Sequence, residues 1–109
     1  MGAVSRAVGL LLCLARLGWA DPVTLTWDAP LTGVAPAAYV MYRQVGTGAM
    51  VAIGTIDAPL VSYTDPAPAL GANTYQVTAT TLSGESPPSN AVTVTCRKGK
   101  GRERRCTLP

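Results

Sequence analysis

The residues that carry acid–base chemistry in most enzymes are scarce in this chain of 109 residues. It contains no histidine, which removes the commonest general base and the usual catalytic triads. The carboxylates Asp28, Asp57, Asp65 and Glu85 each stand within two residues of a proline or glycine. Side chains in that setting cap turns or stay solvated more often than they form an acid–base pair. The sequence therefore predicts no catalytic residue, no cofactor and no enzymatic activity.

Two of the three cysteines are expected to pair. Cys13 lies in an apolar N-terminal stretch, and its removal with a leader peptide leaves Cys96 and Cys106. An even number of cysteines in an oxidising compartment favours a disulfide, and Gly99 and Gly101 allow the chain between them to turn back. We expect this bridge to cyclise the C-terminal segment, with an intermolecular bridge as the alternative. Two cysteines without histidine cannot fill a structural zinc site, so no metal is predicted.

Charge divides the chain into an acidic body and a basic C-terminal tail. Residues 21–95 hold five acidic side chains and one base, Arg43, whereas residues 96–109 hold six bases and one acid, Glu103. These bases are Arg97, Lys98, Lys100, Arg102, Arg104 and Arg105. Such a cluster predicts contact with an anionic partner, and the simpler interpretation is a solvated end that aids solubility. No aromatic residue lies among the bases, so specific nucleic-acid recognition is not expected.

Residues 1–20 have the layout of a signal peptide. A short segment carrying Arg6 precedes an apolar stretch over residues 7–15, and the small residues Gly18 and Ala20 precede the expected cleavage point. The apolar stretch is far shorter than the roughly 20 residues of a membrane span, so no transmembrane segment is predicted in the mature chain. An uncleaved anchor, a different start codon and a lipoprotein are the alternatives. We expect a secreted or periplasmic protein that begins at Asp21.

Apolar and polar residues alternate in several runs after residue 20, which is typical of half-buried strands. In the first run Val23, Leu25 and Trp27 share one face, and in a later run Tyr75 and Val77 do so. Proline- and glycine-containing turns separate the runs. The predicted strands are residues 23–27, 38–44, 50–56, 60–64, 73–81 and 90–95. Six such strands and no amphipathic helix predict an all-β sandwich over residues 21–95.

The order of these motifs resembles the fibronectin type III family. The resemblance is carried by VTLTWDAP (23–30), AYVMYR (38–43), SYTD (62–65) with TYQVTA (74–79), and GESPPSNAVTV (84–94). It implies an immunoglobulin-like sandwich of about six to seven antiparallel strands. Because the expected mature chain begins almost at the second strand of the family, strand A is expected to be reduced or missing.

The resemblance also assigns a structural core. It places Trp27 and Tyr39 inside, and Tyr75 as a tyrosine corner whose hydroxyl bonds to upstream backbone. The strand alternation adds Val77 to this core, and it points Tyr42 outward, where sugar stacking is a lesser alternative. The function implied is a non-catalytic exported binding or adhesion module that contacts protein through loops and strand edges. The alternative is an electrostatic protein that holds anionic polysaccharide, lipid or nucleic acid with the basic tail.

Overall fold

The computed structural model describes residues 14–17, 22–30, 33–98 and 104–108, and it is all-β over these ranges. Every strand pairing is antiparallel. No helix in the described part of the chain is long and apolar enough to cross a membrane. The strands are β1 (Leu14–Leu17), β2 (Val23–Thr26), β3 (Ala38–Val45), β4 (Met50–Asp57), β5 (Ser62–Asp65), β6 (Gly71–Thr81), β7 (Gly84–Glu85), β8 (Val92–Lys98) and β9 (Arg104–Thr107).

The strands form two sheets that enclose one core. The small sheet has the order β1-β2-β5, and the large sheet has the order β4-β3-β6-β8-β9, with β7 paired to the end of β6. This arrangement confirms the predicted sandwich. The six predicted strands lie within a few residues of β2, β3, β4, β5, β6 and β8, because alternation fixes which residues face the core and turn residues fix where each strand ends.

The core consists of the residues that alternate inward from both sheets. Trp27, Tyr39, Tyr75 and Val77 are all buried in it. The rings of Trp27 and Tyr39 meet edge to face with centroids 5.3 Å apart, a favourable geometry for an aromatic pair. The other buried apolar residues are Val23, Leu25, Met41, Ile56, Ala79, Val94 and Cys96.

A buried polar cluster links the sheets, and it corrects two sequence-based expectations. The Tyr75 hydroxyl donates to the Asp65 carboxylate at 2.7 Å and not to backbone. Asp65 is itself buried, where we expected a solvated turn residue. It also forms an ion pair with Arg43 at 2.8 Å and accepts from the backbone N–H of Ala67 at 3.1 Å. Burial, with the hydrogen bond to Asp65 next, raises the pKa of Tyr75.

This cluster gives a structural role to Arg43, the one basic residue of the acidic body. Asp65 ends β5 of the small sheet, whereas Arg43 and Tyr75 are directly opposite each other on β3 and β6 of the large sheet. A buried carboxylate needs a charge partner and hydrogen bonds to offset its lost hydration. Arg43 and Tyr75 supply both, so the cluster fastens one sheet to the other.

The first strand also departs from expectation. We expected strand A to be reduced or missing from a mature chain that begins at Asp21, and we predicted no strand before that residue. The four-residue β1 nevertheless occupies the place beside β2. It lies in the segment assigned to the leader, and its register pairs Leu14 with Thr26 and Leu17 with Val23. Apolar residues suit both an export signal and a sheet edge, so composition alone does not separate the two.

Candidate functional site

One end of the sandwich carries an apolar groove between two loops. The β2–β3 loop forms one wall, and β7 with the β7–β8 loop forms the other. We call this cavity of about 410 Å³ the loop-end groove. Its lining residues are Pro30, Gly33, Val34, Pro36, Ala79, Thr81, Ser83, Gly84, Glu85, Ser86 and Pro87.

The walls of the loop-end groove are held by hydrogen bonds from β6. The Ser86 hydroxyl accepts from the Ala79 N–H at 2.9 Å, and the buried Ser89 hydroxyl accepts from the Val77 N–H at 3.0 Å. On the other wall the Ala37 N–H donates to the Thr80 carbonyl at 2.8 Å. These bonds replace a regular strand ladder, and prolines in both loops restrict the backbone further. The groove is therefore formed before any ligand arrives.

Large apolar side chains stand exposed beside this groove. Val34, which lines it, is 75% exposed, and Leu82, between two lining residues at the turn after β6, is 108% exposed. Keeping such side chains in water forgoes roughly 1.5–3 kcal/mol of burial for each. Val34 lines the groove and Leu82 lies between two lining residues, so both are available for contact with a partner at this end of the sandwich.

Glu85 is the charged residue among the described groove-lining residues, and its carboxylate is tightly held. It accepts hydrogen bonds from the hydroxyls of Thr78 and Tyr42. The bond from Thr78, with that from Tyr42 next, lowers the pKa of Glu85. The hydrogen bond between Tyr42 and Glu85 also raises the pKa of Tyr42, whose side chain faces outward. Glu85 is exposed, as expected of a solvated turn residue, and its two hydrogen bonds also attach β7 to the outer face of the large sheet.

A smaller cavity adjoins the groove on that outer face. It has a volume of about 260 Å³ and shares Glu85 and Ser86 with the loop-end groove. The remaining lining residues are Tyr42, Met50, Gln76, Thr78 and Pro88. Tyr42 uses its hydroxyl on Glu85, so an aromatic ring and a carboxylate stand side by side at the edge of the groove.

The other end of the sandwich carries the basic residues. β8 and β9 pair with Cys96 opposite Cys106, Arg97 opposite Arg105 and Lys98 opposite Arg104, and we call these two strands the basic hairpin. The side chains of Arg97, Lys98 and Arg105 are exposed. Lys100 and Arg102 lie outside the described residues. Four of the six candidate anion-binding residues therefore lie on two paired strands, and this pairing was not predicted from the sequence.

The predicted disulfide between Cys96 and Cys106 is confirmed, but its role differs from expectation. We expected it to cyclise a tail, whereas it joins β8, the second strand from the edge of the large sheet, to the edge strand β9. Cys96 is buried in the core, and Cys106 packs against that core. The bridge therefore stabilises the sandwich itself.

The bridge also holds β8 and β9 together against repulsion between their positively charged residues. Like charges directly opposite on neighbouring strands are destabilising, and the two residue pairs beyond the disulfide are both cationic. A covalent bond one pair away holds the strands in register despite this repulsion. The hairpin therefore concentrates positive charge in a fixed geometry.

Within the described ranges no group of three or more histidine, cysteine, aspartate or glutamate side chains could hold a metal ion. The carboxylates named in the sequence analysis do not converge either. Asp65 belongs to the buried cluster and Glu85 to the groove, while Asp28 and Asp57 are exposed. Among the described residues, the basic hairpin brings several of the predicted candidates together, whereas the loop-end groove contains Glu85 alone of them.

Similar proteins were found by comparison with solved structures. No protein-family model and no curated protein matches this chain. Among solved structures, an Fn3-like protein from Clostridium thermocellum aligns at 24% identity with a TM-score of 0.65, covering 77% of this chain and 86% of that chain. The sixth fibronectin type III domain from human fibronectin type III domain containing protein 3 aligns at 19% identity with a TM-score of 0.71, covering 84% and 87%. A myokine structure aligns at 16% identity with a TM-score of 0.67, covering 82% and 96%.

Proposed function

We propose that this chain, which has the fibronectin type III fold, is a non-catalytic protein-binding module of an exported protein. The observation that carries the proposal is the loop-end groove with exposed Val34 and Leu82 at its rim. A fold alone does not assign a function, so the argument depends on this site and on its chemistry.

The shape of the groove suits a protein partner. Its loops are fixed by backbone hydrogen bonds to Ser86 and Ser89, so a partner needs to order little of this surface on binding. A central apolar pocket surrounded by exposed apolar side chains is where one buried anchor side chain contributes most of the binding energy. The partner is therefore expected to insert an apolar or aromatic side chain between Val34 and Pro87.

The charge of Glu85 adds specificity. Hydrogen bonds from Thr78 and Tyr42 keep the carboxylate ionised at neutral pH and hold it at the edge of the groove. An arginine or lysine of the partner beside the apolar anchor would meet this fixed negative charge. A partner with an acidic residue there would be rejected by like-charge repulsion.

Export is the second part of the proposal. The disulfide between Cys96 and Cys106 is the kind of bond that persists in an oxidising compartment. Residues 1–20 carry the features of a cleavable leader. Together they support a secreted or periplasmic protein.

A site-specific crosslinking experiment tests the groove. A photoreactive amino acid replaces Leu82 in one variant and Val51 in a control, since Val51 is also an exposed apolar residue but lies on the edge strand β4. We expect crosslinking at position 82 to capture a defined partner from the extracellular or periplasmic fraction, and Leu82→Asp to weaken binding of the purified partner by about tenfold or more. Equal capture at both positions, or full affinity of Leu82→Asp, would contradict the proposal.

The basic hairpin favours a second candidate function, which is attachment to an anionic surface. Opposed pairs of bases held in register by a disulfide give a fixed array of positive charge. Such an array suits acidic polysaccharide, anionic lipid or the phosphates of nucleic acid, without sequence specificity. Deleting the segment would also remove Cys106 and β9, so charge reversal is the cleaner test. Arg97→Glu with Lys98→Glu should abolish salt-sensitive retention on a sulfated polysaccharide while the disulfide still forms, and unchanged retention would refute this function.

A further inference from the structure

Residues 14–17 serve two roles that exclude each other. They belong to the predicted leader, which is removed after Ala20, and they form β1 of the small sheet. While attached, β1 pairs along the whole of β2. Cleavage would therefore take away one strand and leave the ladder groups on that side of β2 without partners.

We propose that cleavage of the leader uncovers β2 and that the uncovered edge pairs with β2 of a second copy of this chain. The inference rests on the export part of the proposed function. It assigns a symmetric dimer interface to the mature protein, in which the two small sheets join into one continuous sheet with the order β5-β2-β2-β5.

The first argument is that β2 matches the pattern of the strand it would replace. In β1 the register places residues 15 and 17 opposite Leu25 and Val23, which are the two residues of β2 that are buried in the core. Antiparallel self-pairing centred on Thr24 places Val23 opposite Leu25 of the second copy, and the reverse. Inward and outward faces are thereby conserved, as a strand register requires.

The second argument concerns the outer face of the same sheet. The hydroxyls of Thr24 on β2 and Thr64 on β5 are hydrogen-bonded at 3.0 Å. A two-fold axis at Thr24 places it directly opposite Thr24 of the second copy, which extends this row of threonines across the interface. Paired threonines on adjacent strands are favourable, and an interface that uses the same patch on both subunits is the usual one for dimers.

The third argument is that no residue within β2 is a charged residue or a proline, two features that protect many free edges. β9, at the edge of the large sheet, carries Arg104 and Arg105. The composition of β2 is thus that of an inner strand. After cleavage its backbone N–H and C=O groups on one side lack partners, and a second strand can pair with them.

The test compares the exported, processed protein with the same chain begun at Leu14, which retains β1 and every other described strand. Intact mass identifies the first residue of each, and sedimentation velocity at tens of micromolar gives the particle mass. We expect the processed chain to start at Asp21 and to sediment at twice its chain mass. The chain begun at Leu14 should be monomeric.

A matched pair of variants then locates the interface. Thr24→Lys and Thr64→Lys lose the same hydrogen bond and add the same charge, but only position 24 lies on the proposed two-fold axis. Thr24→Lys should convert the processed dimer to a folded monomer, and Thr64→Lys should leave it dimeric.

Each other outcome overturns the inference. A processed chain that keeps residues 14–17, a folded monomer beginning at Asp21, a dimer of the chain begun at Leu14, or a dimer that tolerates Thr24→Lys is inconsistent with it. Leu82→Asp should leave the dimer intact, so failure of groove binding and failure of this interface are separate results. A mixed complex with another protein on β2 would show that the edge is used by a different occupant.

Discussion

The loop-end groove and the basic hairpin lie at opposite ends of the sandwich, and each is held in place by a different kind of bond. At the loop-end groove the hydroxyl groups of Ser86 and Ser89 attach the β7–β8 loop to β6, and the surface is largely apolar. At the basic hairpin a disulfide holds two strands whose charges repel. β6 runs from one end to the other, so the two surfaces lie roughly 33 Å apart at about 3.3 Å per residue.

This separation indicates that the two ends act independently. Hydrogen bonds are sufficient to hold the apolar loop-end groove. The basic hairpin needs a covalent bond, because its opposed positive charges repel each other. A change at one end should therefore alter its own stability or binding and leave the other end unchanged. The following predictions test this comparison.

Removal of the disulfide should have the largest effect. Replacing Cys96 and Cys106 by alanine together should lower the free energy of unfolding by about 3 kcal/mol, from lost chain restriction over a separation of ten residues. Chemical denaturation with urea measures this loss. Because repulsion between Arg97 and Arg105 is then unopposed, the loss should be smaller in high salt. A loss that does not respond to salt would contradict the electrostatic account of the hairpin.

Removal of the Tyr75 hydroxyl should have the next largest effect. Tyr75→Phe leaves the buried Asp65 with one fewer donor, and it should lower the free energy of unfolding by about 2 kcal/mol, as expected for a hydrogen bond to a charged group. Tyr63→Phe is the control, because the Tyr63 hydroxyl donates to the neutral carbonyl of Ile53 at 3.1 Å in a half-buried position. Thermal and urea unfolding compare the two. An equal loss in both would remove the special role given to Asp65.

The Ser89 hydroxyl should contribute about 1 kcal/mol at the groove end. Ser89→Ala leaves the buried N–H of Val77 without its acceptor. Exposed Ser83, at the turn before β7, provides the control Ser83→Ala. Hydrogen exchange should show faster exchange at Val77 and in the β7–β8 loop but no change at β8 and β9. Faster exchange at both ends would break the proposed independence.

Glu85 should give the smallest effect, and one that depends on pH. Its folded-state pKa is lowered, so its contribution to stability is complete above the unfolded value of 4.5 and is lost as pH falls through the lower folded value. The stability difference between the native chain and Glu85→Gln should therefore be constant from pH 7 to about pH 5 and shrink at lower pH. Urea unfolding across this range measures it. A difference that grows on acidification would contradict the lowered pKa.

Local patterns predicted much of this fold. Alternation around Val23, Leu25, Tyr39 and Tyr75 gave the strands and their inward faces, because burial of one sheet face imposes a period of two. The turn residues then located most strand ends. The predicted disulfide also formed, since few cysteines left few alternatives.

The rest depended on contacts that local sequence does not contain. Asp65 precedes a proline and was therefore predicted to be a turn residue. Its partner Arg43 is 22 residues away in the sequence, so no local pattern indicates the ion pair. The segment 104–107 was predicted to be a basic tail, because its sequence shows no alternation of apolar and polar residues and its pairing with β8 is a tertiary contact. β1 was missed because its apolar residues also satisfy the pattern of a leader. Glu85 was seen as a loop residue, since its two hydroxyl partners come from other strands.

The most direct test of the proposed function compares the two ends in one binding measurement. The affinity of the partner captured at position 82 is determined for the native chain, for Leu82→Asp and for the double variant Arg97→Glu with Lys98→Glu. The account predicts that Leu82→Asp loses about tenfold or more in affinity, and that the hairpin variant stays within about twofold at physiological salt. Loss of affinity in the hairpin variant with full affinity in Leu82→Asp would contradict it and assign the binding function to the basic hairpin.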